Sequence, residues 1–103
     1  MFKRSIVGAG IALLAFSAQA DDMLFRQGDL SIRLMQTPCE VPFAATAIAN
    51  VIKTPAQAVE VMQGSRKVAG CWAIDDEQDV LVVTEDGRGG YIPAAAFKRA
   101  PSV

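Results

Sequence analysis

The 103-residue sequence contains no histidine, which excludes Ser-His and Cys-His catalysis and zinc binding through imidazole. It also lacks any run of lysine or arginine. After residue 20, eight basic residues are spread among eleven acidic ones, giving a formal charge of −3. This balance provides no electrostatic footprint for phosphates and argues against nucleic acid as a partner. We therefore predict neither nucleic-acid binding nor a cofactor.

Long apolar runs are also missing, and the longest apolar stretch is typical of an export signal. Residues 6–16 are too few for the roughly 20 that span a bilayer. They follow the basic residues Lys3 and Arg4 and precede a small-residue cleavage site that ends at Ala20. We expect residues 1–20 to be a signal peptide and residues 21–103 to form a single small domain. The predicted location is the periplasm or the outside of the cell, without a membrane span.

Only two cysteines are present, and export to an oxidising compartment predicts that they form a disulfide. Joining Cys39 to Cys71 closes a loop of about 32 residues, for which the chain-entropy model gives roughly 3.5 to 4 kcal/mol of stabilisation. A redox or metal-binding pair is disfavoured because the spacing is unlike C-x-x-C and no histidine completes a metal site.

Apolar periodicity predicts one helix. Apolar residues recur at three- and four-residue spacing over residues 41–52 and would line one face. Two starts are compatible with the sequence. Thr37 and Glu40 fit a capping box, whereas Pro42 would clash inside a helix that began there and favours a start near itself.

The clearest predicted strand is residues 30–34, in which Leu30, Ile32 and Leu34 alternate with polar residues and should face the core. Three further strands are predicted, at residues 57–62, 67–74 and 80–83. A short return strand is predicted in the stretch before residues 91–93. We therefore expect an α+β domain in which an antiparallel β-meander of about four to five strands packs on one α-helix. In this fold the disulfide would tether the helix to the sheet, and Trp72 would pack against it.

The acidic segment after residue 74 resembles a calcium-binding loop only in part. Asp75, Glu77 and Asp79 alternate as calcium ligands do, but Val80 stands where the loop needs glycine. A solvated turn with at most weak calcium association is the favoured interpretation. Ser65 beside Lys67 is likewise interpreted as an exposed turn, and we predict no catalytic and no metal site. A candidate interaction surface comprises Asp75, Asp76, Glu77, Asp79, Arg88 and Tyr91.

The second half of the chain resembles a group of small exported proteins of proteobacteria and their prophages. The resemblance covers roughly residues 64–97 and the signal layout, and an upstream cysteine is shared as well. It is carried by Gly70-Cys71-Trp72, Glu85-Asp86-Gly87, Ile92-Pro93 and Phe97 in one order and spacing. It implies an exported domain with one disulfide and supplies no activity and no catalytic residues.

Three functions are compatible with these observations. The favoured hypothesis is a non-catalytic binding module that acts on an envelope or phage-related protein. The second is an enzyme or accessory factor that works on cell-wall material through Glu77, Glu85 and Asp86, which would need a pocket holding two of these carboxylates. The third is a structural envelope component that assembles through open sheet edges.

Overall fold

The structure is a computed structural model that describes residues 22–100 of the chain. This part of the chain contains one α-helix, one 3₁₀ turn and seven strands. The strands are β1 (Met23–Gln27), β2 (Leu30–Pro38), β3 (Gln57–Gln63), β4 (Arg66–Ile74), β5 (Asp79–Thr84), β6 (Gly89–Pro93) and β7 (Lys98–Arg99). The helix α1 is Pro42–Ala49, and the 3₁₀ turn is Ala94–Ala96. The predicted signal peptide lies outside the described residues.

All seven strands belong to one antiparallel sheet with the order β6-β5-β4-β3-β2-β1-β7. Tight turns join β1 to β2 and β3 to β4, where Gly28 and Gly64 adopt φ values of +60° and +62°. Glycine suits these positions because it reaches positive φ without steric cost. The Gly64 amide also donates to the Asp29 carbonyl oxygen at 3.0 Å, which joins the two turns at one end of the sheet.

The sheet is curled into a half-barrel. β6 and β7 lie at opposite edges, yet the chain passes from Pro93 to Lys98 with only four residues between them. A segment of that length spans at most about 18 Å. The two edges must therefore approach each other at the end of the sheet where Phe97 lies. We call this the closed end, and we call the opposite end, which carries the turns at residues 28–29, 64–65 and 85–88, the open end.

The concave face of the half-barrel contains the larger core. Its buried members come from three strands and the segment before β7, and they are Ile32, Leu34, Val59, Val80, Val82 and Phe97. The Phe97 ring packs on Phe25 with ring centroids 5.7 Å apart. The prediction that Leu30, Ile32 and Leu34 face the core is confirmed, since Leu30 packs against the same cluster.

A second core lies on the convex face, where α1 covers β4 and β5. Ala44 and Ile48 of the helix pack with Cys71, Ala73 and Leu81 of the sheet. The disulfide between Cys39 and Cys71 is present, with the Cα atoms 5.3 Å apart. It ties the segment before α1 to the middle of β4, so the predicted bridge from helix start to sheet is confirmed.

The predicted fold class is wrong. The domain is mostly β, with seven antiparallel strands in a half-barrel, and it is not a meander of four or five strands packed on a helix. The physical reason is that the sheet buries its concave face against itself by curling. The short helix covers only part of the convex face.

Two local predictions are also corrected. α1 begins at Pro42, with Val41 as its N-cap, while Thr37 belongs to β2, so the capping-box start is wrong and the start at the proline is right. Trp72 does not pack against the disulfide. Its ring packs against the concave core, and its Nε1–H donates to the Met35 carbonyl oxygen at 2.9 Å.

Residues 22–100 include no helix with the length and apolar character needed to cross a bilayer.

Candidate functional site

A cavity of about 280 Å³ lies on the concave face at the open end of the half-barrel. Its walls are aliphatic side chains from five strands, and these are Leu30, Ile32, Val61, Val68, Val82 and Ile92. Side chains on alternate positions of a strand share a face, which explains how β2, β3 and β5 each direct apolar groups to the same space. We call this space the open-end cavity.

The cavity does not extend to the closed end, because that end is filled. Phe97, Leu34 and Val80 are buried there, and Trp72 packs against them. The Trp72 indole is held by the Met35 carbonyl, which lies where the pairing of β2 with β3 shifts register between Leu34 and Pro38. A ligand therefore cannot enter from, or pass through, the closed end.

Gly90 provides part of the space. It pairs with Val82 across β5 and β6, and a Cβ atom added to it would find no heavy atom within 4 Å. Gly70 in β4 is different, because an added Cβ would lie 2.2 Å from the Val83 carbonyl oxygen. The absence of a side chain at Gly90 thus leaves open volume, whereas at Gly70 it permits close packing of two strands.

Polar groups surround the mouth of the cavity, where Gln63, Arg66, Thr84, Asp86 and Arg88 line it. The buried Thr84 hydroxyl donates to Asp86 Oδ1, and the Arg88 backbone N–H donates to the same oxygen at 3.4 Å. The Thr84 hydrogen bond is the main reason that the pKa of Asp86 lies below its ordinary value of 3.8, and the nearby arginines add to the effect. Asp86 is therefore ionised at neutral pH and fixed in position.

Two guanidinium groups share this one carboxylate. Arg66 Nη2 lies 3.9 Å and Arg88 Nε lies 3.8 Å from Asp86 Oδ2, distances at which attraction persists but no hydrogen bond forms. Both arginine side chains are mostly exposed, at 68% and 77%. Along residues 22–100 no other carboxylate forms an ion pair with either arginine. The mouth consequently carries an excess of one positive charge.

The residues predicted as an interaction surface are divided between two places. Arg88 and Tyr91 border the open-end cavity, and Tyr91 is 57% exposed on the edge strand β6. The acidic residues lie at the other end of β5, with Asp75, Asp76 and Glu77 in the turn that precedes the strand and Asp79 as its first residue. The structure thus brings together two of the six residues at the cavity.

The acidic turn is organised by its own backbone. Asp75 Oδ1 accepts hydrogen bonds from the backbone N–H groups of Glu77 and Asp79, both at 2.9 Å. Ligand oxygens of these three carboxylates lie within 4.8 Å of one another. Because β5 begins at Asp79, the chain turns away into the sheet and does not continue around a central point as a calcium loop does.

The other chemically interesting residues are engaged elsewhere. Lys67 Nζ forms an ion pair with Glu60 Oε2 at 3.3 Å on the exposed surface of the sheet. The Glu85 carboxylate accepts a hydrogen bond from the backbone N–H of Ala69 at 3.3 Å. Of Glu77, Glu85 and Asp86, only Asp86 lines the cavity.

Sequence reasoning missed Arg66 and Gly90 as site residues. Their placement follows from strand pairing, because Arg66 pairs with Gln63 and Gly90 with Val82. Gly90 and Ile92 are two residues apart in one strand and so share a face. In the sequence, a glycine at such a position beside an apolar residue was the available indication that a side chain is missing from an apolar face.

Comparison with known proteins finds no matching family model, no matching curated protein and no matching solved structure. The resemblance to small exported proteobacterial proteins therefore stays a prediction from motif order.

Proposed function

We propose that the protein is an exported, non-catalytic binding module that acts through the open-end cavity. In this proposal the chain loses residues 1–20 near Ala20 and works in the periplasm or outside the cell. The disulfide between Cys39 and Cys71 supports the location, because such bonds persist in oxidising compartments. The resemblance to small exported proteins agrees with the same location.

The observation that carries the proposal is an aliphatic cavity with a few convergent polar groups at its mouth. Binding sites for small ligands have this composition, with apolar walls for affinity and fixed polar groups for orientation. The volume of about 280 Å³ is near the lower end of the usual range. The absence of histidine from the sequence removes the most common general acid and base, which favours binding over catalysis.

The two other hypotheses receive less support. A carboxylate-based enzyme would need two acidic groups facing one cleft, and among residues 22–100 Asp86 is the one acidic residue that lines the open-end cavity. Assembly through sheet edges would use β6, β7 or the part of β1 that β7 leaves unpaired, but β6 ends at Pro93, β7 has only two residues and β1 has five. Short strands and proline are features that limit edge pairing. An envelope or phage-related protein stays the proposed partner. It would supply the chemical group or chain segment that enters the cavity.

Binding of a neutral fluorophore tests the proposal. 1-Naphthylamine, which has ten carbon atoms and is neutral at pH 7, shifts its emission to shorter wavelengths in apolar surroundings, and we expect it to bind the disulfide-bonded protein purified after expression of the full chain. Gly90→Leu places a side chain in the cavity and should abolish the signal. Ala95→Leu introduces the same side chain at an exposed position outside the cavity and should leave the signal unchanged. Equal fluorescence from all three proteins, with near-UV circular dichroism confirming their fold, would contradict the proposal.

A further inference from the structure

We propose that the ligand of the open-end cavity is a single-chain fatty carboxylate of about ten carbons, bound with its apolar chain inward and its carboxylate at the mouth. This inference rests on the proposed binding function and adds the chemical class of the ligand. It is carried by the volume of the cavity, the composition of its walls and the charges around its mouth.

The volume sets the size of the ligand. An apolar cavity of roughly 150 Å³ accepts benzene, which has six carbons. The open-end cavity, at about 280 Å³, has nearly twice this volume and accommodates about ten carbon atoms. Two long acyl chains of a membrane lipid would not fit, so the occupant has one short chain.

The walls set the nature of the inserted part. The aliphatic side chains of β2, β3, β4, β5 and β6 line the space, and Gln63 and Thr84 belong to its polar mouth. Thr84 is engaged with Asp86 and offers no free donor to the interior. A polar group pushed into the cavity would lose its hydrogen bonds to water without replacement, so the inserted part must be apolar.

The charges set the head group. Arg66 and Arg88 both lie near the single carboxylate of Asp86. That carboxylate already accepts hydrogen bonds from the Thr84 hydroxyl and from the backbone of the turn. Because neither guanidinium hydrogen-bonds to Asp86, their donor groups are available to a ligand. Guanidinium groups pair well with carboxylates through parallel N–H donors. Glu85, in the same turn, directs its carboxylate to Ala69 of β4 and does not compete at the mouth.

The direction of entry follows from the closed end. Phe97 and Trp72 occupy the other end of the concave face, so the chain of the ligand cannot pass through the half-barrel. A carboxylate bound at the arginines stays in contact with water, which avoids the cost of burying a charge. The apolar chain is therefore buried and the carboxylate hydrated only when the carboxylate lies at the mouth.

Calorimetry with three ten-carbon compounds tests the inference on the disulfide-bonded protein. The compounds are decanoate, decanol and decylammonium, each used below the concentration at which it self-associates. We expect decanoate to bind about tenfold more tightly than decanol, the change given by one charge-assisted hydrogen bond, and decylammonium to bind most weakly. Equal or weaker binding of decanoate relative to decanol, or binding of decylammonium as tight as that of decanoate, would overturn the inference.

Variants locate the effect. Arg66→Gln with Arg88→Gln should remove the preference for decanoate over decanol. Lys53→Gln with Lys98→Gln removes the same charge away from the cavity and should preserve the preference. Gly90→Leu should abolish binding of all three compounds. Decanoate binding that survives Gly90→Leu, or a preference that is lost equally in both charge variants, would place the ligand elsewhere and refute the inference.

The two proposals can fail separately. If the neutral fluorophore binds and Gly90→Leu abolishes its signal while decanoate shows no advantage over decanol, the binding function stands and the ligand class is wrong. If neither the fluorophore nor any ten-carbon compound binds, both proposals are wrong.

Discussion

Cys71 and Trp72 are adjacent in β4, but their side chains enter different cores. The Cys71 sulfur lies on the convex face beneath α1, bonded to Cys39, whereas the Trp72 indole lies on the concave face against Met35. Successive side chains of a strand point to opposite faces, so β4 is buried on both. β4 therefore joins the two cores, as does β5, whose Val80 and Val82 enter the concave core and whose Leu81 enters the convex core. The disulfide secures only the convex core.

Loss of the disulfide should destabilise the fold substantially. For the double variant Cys39→Ser with Cys71→Ser, we expect the free energy of unfolding to fall by about 3 kcal/mol, because an unfolded chain without the bridge gains entropy. Urea denaturation followed by Trp72 fluorescence measures this change. Ser65→Ala, at an exposed turn, is the control and should shift stability by less than about 0.5 kcal/mol. An unchanged unfolding midpoint in the double variant would contradict this expectation.

The strands of the fold were more predictable than its layering. The alternation of Leu30, Ile32 and Leu34 and the apolar run at residues 80–83 both correspond to strands of the sheet. The first strand was missed because Met23, Leu24 and Phe25 are consecutive apolar residues without alternation. Its signal was the two-residue turn Gly28-Asp29 between apolar segments, which is typical of a hairpin.

The curling of the sheet was not predictable from periodicity alone. A continuous apolar strand such as residues 80–83 indicates burial on both faces, yet it does not say what covers each face. Here α1 covers one face, and the sheet itself, with Phe97, covers the other. The candidate site was equally hard to predict from periodicity. Arg66 and Arg88 lie near each other only because the start of β4 and the turn before β6 are both at the mouth of the cavity.

Two glycines of the sheet should respond very differently to the same substitution. Gly70→Ala places a Cβ atom 2.2 Å from the Val83 carbonyl oxygen, and β4 and β5 must separate to accept it. We expect a loss of about 2 kcal/mol, in the range of overpacked cores. Gly90→Ala meets no heavy atom within 4 Å and should change stability by less than about 1 kcal/mol. Chemical denaturation of the two variants compares them directly, and similar stabilities would show that the strand spacing adapts.

Phe97 should be essential to the closed end. Its ring is buried against Phe25, and the following residues hold β7 to the sheet, since the Ala100 amide donates to the Asp22 carbonyl oxygen at 2.8 Å. Phe97→Ala should cost about 3 kcal/mol and increase hydrogen exchange of the Ala100 amide. Phe43→Ala is the matched control, because Phe43 is 58% exposed, and it should leave both measurements nearly unchanged. Retained exchange protection at Ala100 in Phe97→Ala would contradict the assigned role.

Thr84 should control the ionisation of Asp86. Thr84→Val keeps the shape of the buried side chain but removes its hydrogen bond, so the pKa of Asp86 should rise toward its ordinary value of 3.8. Carboxyl-carbon nuclear magnetic resonance during an acid titration measures that pKa. Lys67→Gln, which removes a cation paired with Glu60, is the control and should not shift it.

The same change should alter the acid dependence of stability, and its direction follows from linkage. A carboxyl group whose pKa is lower in the folded state stabilises the fold above its unfolded pKa, and this contribution disappears as the pH falls through the folded value. Below pH 3.8 the wild-type protein should therefore lose stability at Asp86, and Thr84→Val should lose less over that range. In an Asp86→Asn background, Thr84→Val should have no effect on the pH dependence. If the variant keeps the wild-type acid profile, another carboxyl group is responsible and the Thr84 hydrogen bond does not set the ionisation at the mouth of the cavity.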